Sequence, residues 1–328
     1  MKTTRWALSL AIIALALAFV VCPGTLPSAT AQGKTVIRVG SPFKPGSIMV
    51  DAAEKFKELV TQGSGGRIEV QIDAGNASEE QITEWNGSGK IEMQSNGTMF
   101  LPSQYSFFSG PYVMKDFEHY MRVWDGRLGQ EARTQMEQKG NLKYLETVYR
   151  GLRQMTTKKP VYTPADVDGL KLRLPNIATW IAVWKAMGAD PIGVPLPELY
   201  NALKTGKAEA SEGDLPQISS FKLDEVQTHL IVTNHLVQTG GMLINKPFFD
   251  KLSKADQDLI VKAGKEAETW ANNKIKTGKA AILVDLQRKG MQVVIPDAES
   301  FRVKAKAAVE DLFQKEWPVT TWQEVLAQ

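Results

Sequence analysis

The alternation of strand and helix is clearest in residues 169–213, which read GLKLRLPNIATWIAVWKAMGADPIGVPLPELYNALKTGKAEASEG. In the first seven residues, leucines alternate with Lys171 and Arg173, which is the period of a strand with one buried face. Pro175 has no backbone N–H and predicts the end of this strand just after Arg173. The elements predicted next are a helix over 177–188, a proline-rich turn, a helix over 197–204 and a strand over 207–212.

Arg173 is the residue of this stretch with the most specific chemistry. Open α/β sheets bind ligands in the crevice at the carboxyl ends of their strands, which is where the pattern places Arg173. Its planar guanidinium can hold a carboxylate or sulfonate through two parallel hydrogen bonds. The strand pattern taken alone favours a solvated surface arginine, because most arginines are exposed. The resemblance of this stretch to a protein family favours a ligand-binding arginine instead.

The first half of the chain shows the same α/β alternation. The predicted elements are a strand in KTVIRVGSP, a helix from Met49 to Thr61, a strand in GSGGRIEVQID, a short helix followed by a third strand ending near Ser95, a helix over 115–139 and a strand in NLKYLETVY. Strands that alternate with helices are typical of parallel βα units, so the sequence predicts a second α/β domain beginning near residue 151.

The last third of the chain is mainly helical. A strand over 237–246 is predicted to precede a helical stretch of about 35 residues from Ser253. That length exceeds the usual globular helix, so the helix either bends at Gly264 or Gly278 or spans between domains.

The first 31 residues predict a cleavable secretory signal. Lys2 and Arg5 precede the apolar run 6–21, and residues 29–31 supply a small-residue cleavage site. The run is shorter than the ~20 residues that cross a bilayer, which favours a signal over a membrane anchor. A lipid anchor on Cys22 is the other alternative, but its neighbours fit a lipobox poorly. We therefore expect an exported protein with cleavage after Ala31.

Cleavage would remove Cys22, the single cysteine, and this excludes disulfides, thiol nucleophiles and cysteine metal sites from the mature chain. Without Lys2 and Arg5 the 39 basic residues become 37, against 36 acidic ones. Such a balance is not that of a nucleic-acid-binding protein.

Catalytic and cofactor motifs are missing from the sequence. HExxH, GxSxG and GxGxxG do not occur. His119, His229 and His235 lack the spacing of two metal ligands on one helix face and are expected to be core or polar histidines. The adjacent Glu79 and Glu80 point in different directions on a helix, so we expect both on solvated faces. The sequence predicts neither an enzyme nor a bound cofactor.

Three stretches together resemble the extracytoplasmic solute-binding proteins of TRAP transporters, the DctP-type family of periplasmic importers. They are TPADVDGLKLRLPN with its continuation to Gly213, THLIVTNHLVQTGGMLINKPFFDKLSKADQDLI, and FFSGPYVMKDFEHYMRVWDGRLGQE. The resemblance implies a two-lobe α/β periplasmic solute-binding protein with a hinge between the lobes and a long bridging helix. It implies lobe I from 32–150 plus 239–278, and lobe II from 151–238 plus 279–328. It also implies a monomer that delivers its ligand to one small and one large membrane subunit.

The resemblance further implies which residues hold a small organic anion between the lobes. Arg173 corresponds to the family's main arginine and Arg153 to a second one, although Arg150 is an alternative because the segment before Pro160 is one residue short. An ion pair between domains is the structural alternative for Arg153. The remaining candidates are Glu212, Gly213, Asp214, Ser95, Asn96 and Trp180.

Several of these candidates have equally plausible structural roles. Gly213 and Asp214 stand where many members carry Asn and Pro, which indicates a ligand other than the common sugar acids. Asp214 could equally cap the following helix. Ser95 and Asn96 could be turn formers. Trp180, four residues before Trp184, has the spacing of a core position.

Two rival functions remain open on the sequence alone. One is a lobe-closing receptor for another importer or for a sensor kinase, which would use the same fold and ligand chemistry. The other is an exported hydrolase, against which the missing catalytic motifs count.

Overall fold

The computed structural model describes residues 34–328. The predicted signal peptide and its cleavage site lie outside these residues. Within them, no helix combines the length and the apolar character that a bilayer crossing requires.

The strands of residues 34–328 form two separate sheets. The first has the order β2-β1-β3-β10-β4, and the second has the order β11-β9-β5-β8-β6-β7. The strands are β1 (Thr35–Ser41), β2 (Ile68–Ala74), β3 (Met93–Asn96), β4 (Leu142–Leu152), β5 (Gln154–Thr157), β6 (Lys171–Leu174), β7 (Asp190–Gly193), β8 (Ala210–Gly213), β9 (His229–Ile231), β10 (Val237–Asn245) and β11 (Gln292–Val294).

Both sheets are mixed in direction. In the first sheet β1 pairs in parallel with β2 and β3, whereas β10 is antiparallel to β3 and β4. In the second sheet β6 is parallel to β7 and β8, and β5 is antiparallel to β8 and β9. These pairings confirm the predicted α/β class.

Helices cover both sheets and begin at side-chain caps where the sequence offers them. Ser78 accepts a hydrogen bond from the Gln81 amide, and Gln81 accepts one from the Ser78 amide, so the two form a capping box at the start of α2. The helices are α1 (Ile48–Gly63), α2 (Glu79–Ser88), α3 (Phe117–Asp125), α4 (Arg127–Gly140), α5 (Ala178–Ala186), α6 (Leu199–Lys204), α7 (Leu215–Ser220), α8 (Lys246–Asp250), α9 (Lys254–Arg288), α10 (Ala298–Lys315) and α11 (Trp322–Leu326).

The helix α9 confirms the prediction of one long bridging helix. It runs for 35 residues without interruption. Its contacts include α1 and β4 of the first sheet and α7, which follows a strand of the second sheet. The Tyr149 amide in β4 donates to the Asn272 side chain of α9 at 2.7 Å, which fixes the helix to the strand.

Two predicted elements differ from the structure. The single helix predicted over 115–139 is two helices, because the backbone at Gly126 is extended and glycine gives the helix little support there. The proline-rich turn contains strand β7, which includes Pro191. A proline is tolerated in β7 because this strand lies at the edge of its sheet, where one side needs no ladder hydrogen bonds.

The chain crosses between the sheets at a point that determines the position of the candidate site. β4 of the first sheet ends at Leu152 and β5 of the second begins at Gln154, so Arg153 alone separates them. The chain returns between β9 and β10, and the Arg153 amide donates to the Leu236 carbonyl of that return at 2.9 Å. Most of the strands predicted for each lobe fall in one sheet, while the lobe bounds themselves stay a prediction.

Candidate functional site

A small cavity lies between the two sheets, beside the crossing at Arg153. Its volume is about 20 Å³. Side chains from both halves of the molecule line it, including three arginines, one from β4, one from the crossing and one from β6. We call it the cleft cavity; it is lined by Phe43, Glu79, Thr98, Arg150, Arg153, Arg173, Pro175, Ile177, Trp180, Leu196, Gln217 and Gln238.

Arg173 is buried at the end of β6, where the strand pattern placed it, with 1 % of its surface exposed. Its Nε and Nη2 atoms donate to the Val194 carbonyl at 2.9 and 2.6 Å. Within residues 34–328, Nη1 has no hydrogen-bond partner. Burial lowers the pKa of Arg173 to about 10, so the guanidinium still carries its charge at neutral pH.

Arg153 is held by an ion pair that belongs to the second sheet. Its Nε and Nη2 atoms donate to the Glu212 carboxylate, the latter at 2.6 Å, and Nη2 also donates to the Glu212 carbonyl at 2.9 Å. Its Nη1 atom reaches Gln238 of β10 at 2.9 Å, and the guanidinium lies 4.8 Å from the centre of the Trp180 ring. Arg153 therefore has an ion-pair partner, but the pair is not the one between domains that the sequence left open, because Arg153 and Glu212 both lie in the predicted lobe II. Arg153 also lines the cavity.

Glu212 holds Arg153 in place but does not itself line the cavity. His235, which precedes β10, contacts the same carboxylate at 3.2 Å through Nε2. Burial alone would raise the pKa of Glu212, but Arg153 and His235 lower it to about 2. Glu212 is consequently a fixed negative charge that orients Arg153.

Arg150 is the third arginine of the cleft cavity and joins the two halves of the molecule. It projects from β4, and its Nη2 atom contacts Asp214 at 2.6 Å and donates to the Gln217 side chain at 2.9 Å. Asp214 and Gln217 belong to the start of α7, which follows β8 of the second sheet. The Nε atom of Arg150 is buried without a hydrogen-bond partner among the described residues.

Asp214 and Gly213 act through α7 and not by lining the cavity. Asp214 caps this helix by accepting from the Gln217 amide at 2.9 Å, which confirms the capping alternative. A Cβ atom at Gly213 would lie 2.7 Å from Gln217 Nε2, so glycine leaves room for the Gln217 side chain. Gln217 Nε2 has no partner within residues 34–328 and is a further buried donor beside the arginines.

Glu79 corrects one expectation from the sequence. It is half-buried at the start of α2 and lines the cleft cavity, whereas Glu80 beside it is exposed as predicted. The absence of a side chain at Gly97 leaves space for the Glu79 carboxylate. Burial raises the pKa of Glu79, and the charges of Arg150 and Arg153 oppose that increase only in part.

Ser95 and Asn96 are not brought to the cleft cavity. The Ser95 hydroxyl donates to the Met49 carbonyl at 2.7 Å, and the Asn96 amide donates to the Glu79 carbonyl at 2.9 Å. Both side chains are fully buried and tie β3 to neighbouring helices. Trp180 does line the cavity, and its indole N–H donates to the Ser109 carbonyl at 2.6 Å.

Sequence reasoning did not select Glu79 or Gln217 and named Arg150 only as an alternative to Arg153. The segment before Pro160 is one residue shorter than the family pattern, so the sequence allowed either Arg150 or Arg153 as the second ligand-binding arginine. Gln217 carried no comparable signal, because only the fold of α7 brings it next to Arg150. No cluster of side chains able to hold a metal ion occurs in the part of the chain that the structure describes.

Comparison with known proteins identifies the family. Residues 39–316 match the DctP family, described as bacterial extracellular solute-binding protein, family 7. The chain belongs to this family. It is thus an extracytoplasmic solute-binding protein of the TRAP type, and the resemblance inferred from the sequence is confirmed.

Similar proteins cover nearly the whole described region. The sialic acid-binding periplasmic protein SiaP of Vibrio cholerae is 31 % identical over 283 residues, which are 84 % of this chain and 87 % of the relative. A TRAP solute-binding protein of Roseobacter denitrificans, solved with L-galactonate, has a TM-score of 0.81 and 25 % identity over 89 % of this chain and 99 % of its own. A Polaromonas protein solved with D-erythronate has a TM-score of 0.81 and 27 % identity over 89 % and 97 % of the two chains.

Proposed function

We propose that this protein captures one small organic acid, as its carboxylate, in the cleft cavity between the two sheets. The observation that carries the proposal is the position of Arg173, a buried charged guanidinium with a free Nη1 atom beside two further arginines. Buried cations are stable only when they are paired, and a ligand carboxylate would supply the missing partner. The relatives solved with L-galactonate and D-erythronate support this ligand class.

The charges around the cleft cavity favour a monoanion. Arg150, Arg153 and Arg173 face the carboxyl groups of Glu212, Asp214 and Glu79. Asp214 pairs with Arg150 and Glu212 with Arg153, whereas the hydrogen bonds of Arg173 go only to the Val194 carbonyl. A single carboxylate on the ligand would give Arg173 an ionic partner.

The size of the cleft cavity implies that the protein must open to admit its ligand. A volume of about 20 Å³ accommodates little more than one water molecule. A sugar acid is several times larger, so it can enter only when the two sheets separate about the crossing at Arg153. Ligand contacts to both sheets would then favour the closed arrangement, because they exist only there.

The cellular role that we propose follows the sequence expectations. The chain would be exported by its first 31 residues and would bind its ligand in the periplasm. It would then pass the ligand, as a monomer, to one small and one large TRAP membrane subunit.

A thermal-shift screen of the purified protein tests the ligand class. The panel pairs each acid with its alcohol: L-galactonate with galactitol, and D-erythronate with erythritol, beside other sugar acids and small sulfonates. A ligand at a hundredfold its Kd stabilises by about 2.7 kcal/mol, so we expect an acid to raise Tm by roughly 5 °C and its alcohol to leave it unchanged. A shift given by the alcohols and by no acid would refute the proposal.

A further inference from the structure

A second and larger cavity lies beside the crossing between the sheets. It is bounded by the start of α3, the end of β4, the start of α7 and the second half of α9, and we call it the hinge pocket. Its volume is about 320 Å³, many times that of the cleft cavity. Small-molecule sites in proteins begin at about 300 Å³, so the hinge pocket has the size of a ligand site.

The inner wall of the hinge pocket is apolar. Phe117, Leu215 and Ile275 contribute to it, and each of them is buried. Phe117 is stacked on the ring of Tyr149, with the two ring centres 4.3 Å apart. Leu152, at the end of β4, is half-buried beside them. An apolar body bound against this wall would be removed from water, which is favourable.

The rim of the hinge pocket is positively charged. Three lysines, Lys115, Lys276 and Lys279, line it against the two carboxylates of Asp116 and Glu118. Glu118 pairs with Lys276 at 2.9 Å, and Asp116 accepts from the His119 amide at 2.7 Å. Lys115 donates to the Leu326 carbonyl at 2.7 Å. Among residues 34–328, Lys279 makes no ion pair and remains available for an anionic group at the rim.

Arg150 places a buried guanidinium, whose charge is paired with Asp214, on the inner side of the hinge pocket. It lines the hinge pocket as well as the cleft cavity, it is buried, and its Nε atom has no hydrogen-bond partner among the described residues. A molecule in the hinge pocket would therefore meet Arg150 at one end and Lys279 at the rim. The walls come from both halves of the molecule, because α7 follows the second sheet and β4 belongs to the first.

We propose that the hinge pocket is a second binding site, distinct from the cleft cavity, for an amphipathic monoanion with an apolar body of about the size of a medium-chain fatty acid or an aryl sulfonate. The apolar wall holds the body of the ligand. The excess of positive charge selects an anionic head group over a neutral or cationic one. The sugar acids bound by the solved relatives are polar along their whole length and do not match this wall.

The test uses 8-anilinonaphthalene-1-sulfonate, an aryl sulfonate whose fluorescence rises in apolar sites, titrated into the purified protein. We expect one saturable site, displaced by octanoate and not by octylammonium. Lys279→Glu should weaken binding at least tenfold, since it reverses the charge at the rim. Lys262→Glu changes an exposed lysine of the same helix outside the pocket and should leave binding as in the wild type.

Binding of the probe must also be independent of the cleft cavity. Arg173→Ala removes an arginine that lines only the cleft cavity, and we expect it to retain full binding of the sulfonate. Non-saturating fluorescence, wild-type affinity in Lys279→Glu, or loss of the signal in Arg173→Ala would each overturn the proposal. The last result would place the probe in the cleft cavity, whereas failure of the acid screen above would leave the hinge pocket unaffected.

Discussion

The cleft cavity and the hinge pocket share one wall residue, Arg150, but they differ in how far their basic side chains are buried and fixed. In the cleft cavity, Arg153 and Arg173 are buried and fixed by Glu212 and by the Val194 carbonyl. In the hinge pocket the lysines lie at an exposed rim above an apolar wall.

The two proposed sites would recognise an anion in two ways. Buried guanidinium groups are costly without partners, so the cleft positions them in advance and would select a ligand by the geometry of its carboxylate. Exposed lysines remain hydrated and mobile, so the hinge pocket would select only by the sign of the charge and by apolar area. The two regions should therefore respond very differently to the loss of a charge.

The largest expected effect is on the stability of the cleft. Glu212→Ala leaves Arg153 buried without its ionic partner, and we expect the free energy of unfolding to fall by about 3–5 kcal/mol in urea denaturation. Glu118→Ala removes the exposed partner of Lys276 at the hinge pocket and should cost at most about 1 kcal/mol. Equal losses of unfolding free energy in the two variants would show that the buried pair of the cleft stabilises the protein no more than the exposed pair of the hinge pocket.

The same carboxylate predicts a dependence of stability on pH. The folded-state pKa of Glu212, about 2, lies below its ordinary value of 4.5, so its contribution is complete above pH 4.5 and is lost as the pH falls toward 2. Urea denaturation between pH 5 and pH 2 should therefore show a steeper loss for the wild type than for Glu212→Gln. Parallel curves for the two proteins would show that Glu212 is not the group responsible.

A smaller effect is expected at the ion pair that joins the sheets. Asp214→Asn keeps a side chain that can cap α7 but removes the charge opposite Arg150, and the free energy of unfolding should fall by about 2 kcal/mol. Asp297→Asn makes the same change at the exposed cap of α10 and should alter stability by only a few tenths of a kcal/mol. If Asp214→Asn is as mild as this control, the Arg150 pair does not stabilise the structure.

The sequence predicted the elements of the fold better than the contacts of the site. Strand periodicity placed Arg173 correctly at the end of β6, because alternation and Pro175 are local signals. The helix predicted over 115–139 was wrong at Gly126, where apolar spacing continues through a break in the backbone.

The partners of the site residues depend on contacts between distant parts of the chain. Arg150 and Asp214 are 64 positions apart, and no local pattern indicates that they form a pair. Ser95 and Asn96 end a strand as predicted, but their hydrogen bonds hold β3 in place. Which side of β3 faces the cleft is decided by packing of α1 and α2, and sequence periodicity over four residues does not show it.

The most direct test of the central claim is calorimetric titration of Arg173→Ala with the organic acid that gives the largest thermal shift. We expect the affinity of Arg173→Ala for the acid to be at least a hundredfold lower than that of the wild type. Arg173→Lys should lose less affinity, because lysine keeps the charge but cannot form two parallel hydrogen bonds. The control Arg302→Ala, at an exposed position, should bind as the wild type does. Circular dichroism would establish that each variant is folded. Wild-type affinity in a folded Arg173→Ala would contradict the account, because the acid would then be held without the arginine on which the cleft depends.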